Sequence, residues 1–158
     1  MSIKRFAAID VGSYELEMKI FEISQKKGIK EIDHIRHVIE LGKDTYSYGK
    51  VSFELIEELC EVLYKFTGIM KEYQVNDYRA NATSAIREAK NAHIILDRIK
   101  VRTGLEVKIL SNSEQRFICY KAIATKENDF NKIIQKPTAI VDVGAGSVQL
   151  SLFDKDVL

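Results

Sequence analysis

Short apolar runs and strict alternation dominate the first forty positions. Residues 5–12 form an apolar segment that ends at Gly12 and predicts a first strand. Residues 15–24 alternate Leu16, Met18 and Ile20 with Glu17, Lys19 and Glu22, which predicts a second strand. Gln25–Gly28 is a turn, and a third strand covers 29–41. Residues 42–51, with Gly42, Asp44, Ser47 and Gly49, predict a loop. The period then changes. Leu55, Leu59, Val62, Leu63, Phe66 and Met70 fall on one helical stripe, so a helix runs from Ser52, its N-cap, to Tyr73. A strand at 78–83, a helix at 91–102 closed by Gly104, a short strand at 106–110 and a helix at 112–127 follow. The polar stretch 129–136 leads to Pro137, the single proline, and then to a last pair of alternating segments.

That last pair repeats the first. Ala7-Ala8-Ile9-Asp10-Val11-Gly12-Ser13 returns as Ala139-Ile140-Val141-Asp142-Val143-Gly144-Ala145-Gly146-Ser147, with the two aspartates 132 residues apart. Each copy reads as strand, small-residue turn, strand, with an acid at the mouth of the turn. Small residues let an anion approach backbone N–H groups, and an Asp beside such a turn can hold Mg²⁺ directly or through water. Two such hairpins facing each other would make a phosphate clamp.

The order β-β-β-α-β-α-β-α, followed by β-β, matches one ribonuclease-H-like lobe plus the first hairpin of a second. The expected fold is therefore α/β, with a five-stranded mixed sheet. Lobe I spans 1–130, and 131–158 hold a linker and the first hairpin of an incomplete lobe II. A lone hairpin is marginal in water and presents strand edges at 138–154, so a homodimer or strand exchange is one expected arrangement.

Composition narrows the class. Of 158 residues, 46% are apolar, enough for a core, and 30% are charged, which argues against disorder. A net charge of +1 gives no case for a nucleic-acid surface. No apolar run is long enough for a membrane span, and Met1–Arg5 lead straight into a strand, unlike a signal peptide. Cys60 and Cys119 sit among apolar neighbours in helical patterns and read as buried free thiols, consistent with a reducing cytoplasm. His34, His37 and His93 show no metal-ligand spacing.

Four stretches together resemble the exopolyphosphatase/guanosine pentaphosphate phosphohydrolase (Ppx/GppA) family, within the sugar kinase, Hsp70 and actin superfamily. They are Ala8–Ser13, Ala82-Thr83-Ser84-Ala85-Ile86-Arg87-Glu88-Ala89-Lys90-Asn91, Thr103–Ser111 with Glu114, and Val141–Ser147. The second is the most specific. The resemblance implies a two-lobed, Mg²⁺-dependent phosphohydrolase. Such an enzyme removes terminal phosphate from inorganic polyphosphate or pppGpp in the cleft between its lobes.

On that resemblance Asp10, Asp142 and Gln149 are the candidate metal-site residues. For each aspartate the competing reading is a turn-capping carboxylate. Gly12 and Ser13, with Gly144, Ala145, Gly146 and Ser147, would supply donors to phosphate oxygens. Thr83, Ser84 and Arg87 are further candidate phosphate ligands. Arg87 can grip phosphate bidentately, or tie the lobe together by pairing with Glu88 or Asp97. Glu114 is the candidate general base for the attacking water. Its rival role is structural, because Ser111-Asn112-Ser113-Glu114 is a capping box.

Several positions depart from the family pattern. Gln115 replaces the second of a glutamate pair, and Gln149 stands where an acid is expected. Tyr14 and Glu15 replace Asn and Ser, and Glu15 adds negative charge beside an anion site. Ala145 replaces a glycine, which would cost about 1 kcal/mol if its φ were positive. The leading expectation is thus a weakened phosphohydrolase. The alternative is a catalytically inactive regulatory homologue that binds polyphosphate or a guanosine tetra- or pentaphosphate. A sugar or acetate kinase lobe shares the hairpins but does not account for the Ala82–Asn91 string.

Overall fold

A computed structural model describes residues 3–126 and 130–154. The expected helix end at 127, the start of the polar stretch at 129 and the tail 155–158 lie outside the described residues. The chain divides into two compact units, one ending at Ile109 and the other beginning at Leu110.

The first unit is built on a five-stranded sheet. Strands β1 (Lys4–Val11), β2 (Glu15–Ser24) and β3 (Gly28–Val38) form an antiparallel meander. Strands β4 (Asp77–Ala82) and β5 (Val107–Ile109) extend it in parallel on the other side of β1, giving the order β3-β2-β1-β4-β5. This is the mixed sheet that the element order predicts. Period-2 alternation separates its faces. Ala7, Ile9 and Val11 of β1, Leu16, Met18 and Ile20 of β2, and Ala80 and Ala82 of β4 are buried in one core cluster. The residues between them, including Asp10, Glu15, Glu17 and Asn81, lie on the opposite face. The edge strand β3 carries alternating charges, and a bulge at Ile20/Phe21 shifts its register; both features discourage pairing with another chain.

Two helices supply most of the cover. Helix α2 (Phe53–Glu72) buries Ile56, Leu59, Cys60, Leu63, Phe66 and Met70 among others, close to the expected stripe. Ser52 sits at its N-cap but makes no side-chain cap bond; its backbone N–H donates to Asp44 Oδ2 at 2.8 Å. Helix α4 (Ala92–Thr103) buries Ile95 and Ile99 and ends at Gly104 in the left-handed region.

Three features differ from expectation. The predicted loop 42–51 contains helix α1 (Leu41–Tyr48), closed by Gly49 at φ 71°. Its sequence is a poor helix former, and it forms because Leu41, Gly42 and Thr45 are buried against neighbouring elements. The strand–helix junction after β4 holds a separate short helix, α3 (Ser84–Glu88), ahead of α4. In the second unit, the polar stretch holds helix α6 (Phe130–Ile134).

The second unit comprises α5 (Asn112–Lys126), α6 and an antiparallel hairpin of β6 (Thr138–Val143) and β7 (Val148–Phe153). The hairpin face bearing Ser151 and Phe153 packs on α5. Tyr120 donates a hydrogen bond to Ser151, and its ring meets Phe153 edge-on at 5.3 Å. The other face is apolar and open, with Val141, Val143, Val148, Leu150 and Leu152 all 56–72% exposed. These positions match Ile9, Val11, Leu16, Met18 and Ile20 of the first hairpin, which are buried. Among the described residues no helix is long and apolar enough to cross a membrane. Both cysteines are free; Cys60 is buried as expected and Cys119 only half-buried, and desolvation pushes each thiol above its ordinary pKa.

Candidate functional site

In the first unit the predicted residues gather where β1 and β4 end. Gly12 N–H donates to Glu15 O at 3.0 Å and closes the turn. A Cβ on Gly12 would stand 2.8 Å from that carbonyl oxygen, so the turn requires glycine although its φ is not positive. Thr83 N–H donates to Val11 O at 3.2 Å, carrying the β1–β4 ladder one residue beyond the sheet. This brings the two segments together. Ser13 and Ser84 are both buried, and their hydroxyl oxygens lie 2.9 Å apart in a hydrogen bond. The two hydroxyls therefore serve each other in this state.

Helix α1 braces both segments. Gly42 N–H donates to Ser13 O at 2.7 Å, and Ile39 N–H donates to Tyr14 O at 2.8 Å. The Tyr46 hydroxyl lies 3.3 Å from Ser13 Oγ. Thr45 Oγ1 donates to Ala85 O at 2.9 Å, on the α3 side. A side chain at Gly42 would meet Ser13 Cβ at 3.1 Å. The sequence pattern hides this support because the segment reads as a loop. The Leu41-Gly42 pair before a run of hydroxyl residues is the available signal.

Arg87 has a largely shielded side chain, and its Nε donates to Glu88 Oε1 at 3.2 Å. The structural pairing anticipated for it thus exists. Asn91, at the end of the same string, clamps the backbone of Val51: its side chain accepts from Val51 N–H at 3.1 Å and donates to Val51 O at 2.9 Å.

Asp10 lies at the end of β1, directly across from Glu17 of β2 and beside Asn81 of β4. Its carboxyl is pushed up to about 6, first by desolvation, then by the charges of Glu17 and Glu15. Solvent still reaches the side chain, so the desolvation comes from protein packed around it and not from closure over it. Glu15 behaves oppositely. Its hydrogen bonds with Arg36 hold it below the usual carboxylate range.

The second unit repeats the arrangement with different chemistry. Asp142 lies directly across from Gln149, as Asp10 does from Glu17. Gly144 N–H donates to Ser147 O at 2.8 Å and closes the turn over Ala145 and Gly146. Ala145 does not adopt a positive φ, so the expected cost of its Cβ does not arise. Both polar atoms of the Gln149 amide are shielded from solvent and lack a hydrogen-bond partner. Glu114 starts α5 in a reciprocal cap: Ser111 N–H donates to Glu114 Oε2 at 2.9 Å, and Glu114 N–H donates to Ser111 Oγ at 3.2 Å. The structural role weighed for it is therefore realised.

The donor chemistry suits a hard cation. The raised pKa of Asp10 marks a carboxylate whose charge is uncompensated, and a cation would relieve it. The orphaned amide of Gln149 beside Asp142 likewise offers an oxygen. Among the described residues no group of three or more His, Cys, Asp or Glu side chains forms a cage. A cation here would take most of its shell from water or substrate, as Mg²⁺ commonly does.

The family model, the curated relatives and a solved structure agree on one family. Residues 19–157 match the Ppx/GppA phosphatase family. The chain is 23% identical over 148 residues to exopolyphosphatase 1 of Mycobacterium tuberculosis, covering 93% of this chain and 42% of that protein. It is 26% identical over 157 residues to the guanosine-5'-triphosphate,3'-diphosphate pyrophosphatase of Photobacterium profundum, covering 97% and 30%. Among solved structures, the Aquifex aeolicus PPX-GPPA enzyme superposes with a TM-score of 0.81 at 29% identity, over 99% of this chain and 50% of that one. The chain thus spans half or less of the length of the relatives it matches.

Proposed function

The chain belongs to the Ppx/GppA phosphatase family, and on that premise we propose that it acts in removing terminal phosphate from inorganic polyphosphate or pppGpp with Mg²⁺, in the cytoplasm. The observation that carries this reading is Asp10. It is an uncompensated carboxylate at the mouth of a glycine turn, at the same place in its hairpin as Asp142 in the second copy.

The roles follow from the chemistry of each group. Asp10 in the first unit would serve as a cation ligand, and in the second unit Asp142 would do so, with the Gln149 amide oxygen as a neutral and weaker ligand. When bound, Mg²⁺ supplies Lewis-acid polarisation of phosphoryl oxygens. The turns Gly12-Ser13 and Gly144-Ala145-Gly146-Ser147 would present backbone and hydroxyl donors to phosphate oxygens. Ser13 and Ser84 would have to exchange their mutual hydrogen bond for one to phosphate; otherwise they act by fixing the turn. Thr83 would add a hydroxyl and Arg87 a guanidinium, released in part from Glu88. Glu114 would accept the proton of the attacking water, giving up its bond from Ser111 N–H as it turns.

A second reading has specific support. Gln149 and Gln115 are neutral where the family pattern has acids, and Glu114 is already engaged as a cap. These favour a regulatory homologue that binds the same phosphates without turnover. Phosphate release from short-chain polyphosphate and from pppGpp with Mg²⁺, compared between the protein and its Glu114→Gln variant, separates the two. Release that disappears in the variant supports the enzyme. Binding of either compound without release supports the regulator. Neither release nor binding defeats both.

A further inference from the structure

One arginine governs the carboxylates around Asp10. Glu17 lies across from Asp10 in the β1–β2 ladder, and Arg36 lies across from Glu17 in the β2–β3 ladder, so all three share a face. Glu15 is two residues before Glu17 and occupies the same face. Arg36 Nη2 donates to Glu15 Oε1 at 2.7 Å and Oε2 at 2.6 Å, and Nε donates to Oε2 at 3.1 Å. The same Nε stands 3.1 Å from Glu17 Oε1, and His34 Nε2 approaches that oxygen at 3.6 Å. Lys19, on the same face, is taken by Glu31 at 3.3 Å. Asp10 is the one acid of the three that Arg36 does not touch. Beside the neutral Lys19–Glu31 pair, three carboxylates gather around Asp10 and Arg36, yet among the described residues no such group is arranged to hold a metal ion.

We infer that Arg36 is a positioning residue: it withholds Glu15 and Glu17 from a divalent cation and leaves Asp10 as the carboxylate of this face presented to it. The charges support this. Three carboxylates and one guanidinium carry two net negative charges, which one divalent cation cancels, so an anionic phosphate can then approach without repulsion. Without the guanidinium, Glu15 and Glu17 are free to turn toward the cation, and the face is one charge too negative for phosphate. The excess acid at Glu15, unfavourable when read from sequence, is thereby offset from the third strand. Only a planar fork spans both acids, so lysine should replace Arg36 in part. The inference rests on Asp10 as a cation ligand.

The test is Mn²⁺ alone, titrated into the full chain and followed by its EPR signal. Arg36→Gln is expected to bind Mn²⁺ about tenfold more tightly than the unaltered protein, as one added carboxylate ligand allows. The combination R36Q/E15Q/E17Q should return affinity to the starting value or below, and Arg36→Lys should fall between. Unchanged or weaker Mn²⁺ binding in R36Q overturns the inference, as does a failure of Asp10→Asn to weaken binding. A merely structural role for Arg36 would not tighten binding, nor would removing the two acids reverse the effect. If R36Q does not fold, judged by circular dichroism, the R36K variant decides. Tighter binding in R36K than in the unaltered protein supports the inference, and unchanged or weaker binding in R36K overturns it. Absence of phosphate release beside a tightened R36Q leaves this inference standing and retires only the enzymatic reading.

Discussion

Ser13 and Ser84, 71 residues apart in sequence, share a buried hydroxyl–hydroxyl hydrogen bond of 2.9 Å. That bond joins the turn after β1 to the start of α3, and the position of each segment therefore depends on the other.

Removing the Ser13 hydroxyl leaves that of Ser84 without this bond, whereas removing the Ser84 hydroxyl leaves Ser13 with Tyr46 at 3.3 Å. Ser13→Ala should cost about 1–2 kcal/mol of stability and Ser84→Ala less. The double variant should cost less than the two singles together, because no orphan is left. Urea unfolding of the four proteins measures this coupling; strict additivity would show that the bond contributes nothing.

Two glycines give opposite outcomes for the same substitution. Gly12→Ala places a Cβ 2.8 Å from the Glu15 carbonyl oxygen and should destabilise by about 1–3 kcal/mol. Gly68 lies inside α2 with nothing within 4 Å of its would-be Cβ. Gly68→Ala should raise stability by about 0.5–1 kcal/mol. Thermal melts of the two variants check the contrast.

Asp10 makes stability depend on pH in an unusual direction. Its carboxyl is raised from 3.8 to about 6 in the folded protein. Between those values the folded state binds more protons than the unfolded state, so this group's contribution to stability falls as pH rises from 3.8 to about 6. Glu15, whose carboxyl is lowered, contributes in the opposite sense. The difference between Asp10→Asn and the unaltered protein isolates the effect. The Asp10→Asn variant should be the more stable at neutral pH, with the advantage fading toward pH 4. Solvent access to Asp10 keeps the effect modest. Added Mg²⁺ should stabilise the unaltered protein and not the variant.

Glu114 has two candidate duties that one substitution separates. Glutamine at the third helical position still completes a capping box, whereas it cannot take a proton at neutral pH. Glu114→Gln should leave the melting temperature within a degree or two and abolish any phosphate release. Ser111→Ala should do the reverse, costing about 1 kcal/mol and sparing the chemistry. A Glu114→Gln protein that still releases phosphate would exclude this residue as the base.

The sheet was legible because alternation is local. Leu16, Met18 and Ile20 announce a half-buried strand without reference to anything distant, and so does their echo in Val148, Leu150 and Leu152. The hairpin register also follows from the turn, which makes Glu17 readable as the neighbour of Asp10. Arg36 was not readable in the same way, because the bulge at Ile20/Phe21 shifts the count from the second turn by one residue. Helix α1 was hidden for a different reason. Gly42, Thr45, Tyr46 and Tyr48 are weak helix formers, and burial against distant segments, not propensity, decides their conformation. The partner of Ser13 was beyond reach because only the parallel pairing of β1 with β4 brings Ser84 to it.

The open side of the second hairpin carries a cost in the cell. Val141, Val143, Val148, Leu150 and Leu152 form a water-facing strip of the kind chaperones hold and quality-control proteases sample. How well that strip is covered, and not the firmness of the five-stranded sheet, would then decide how readily the protein is captured or degraded.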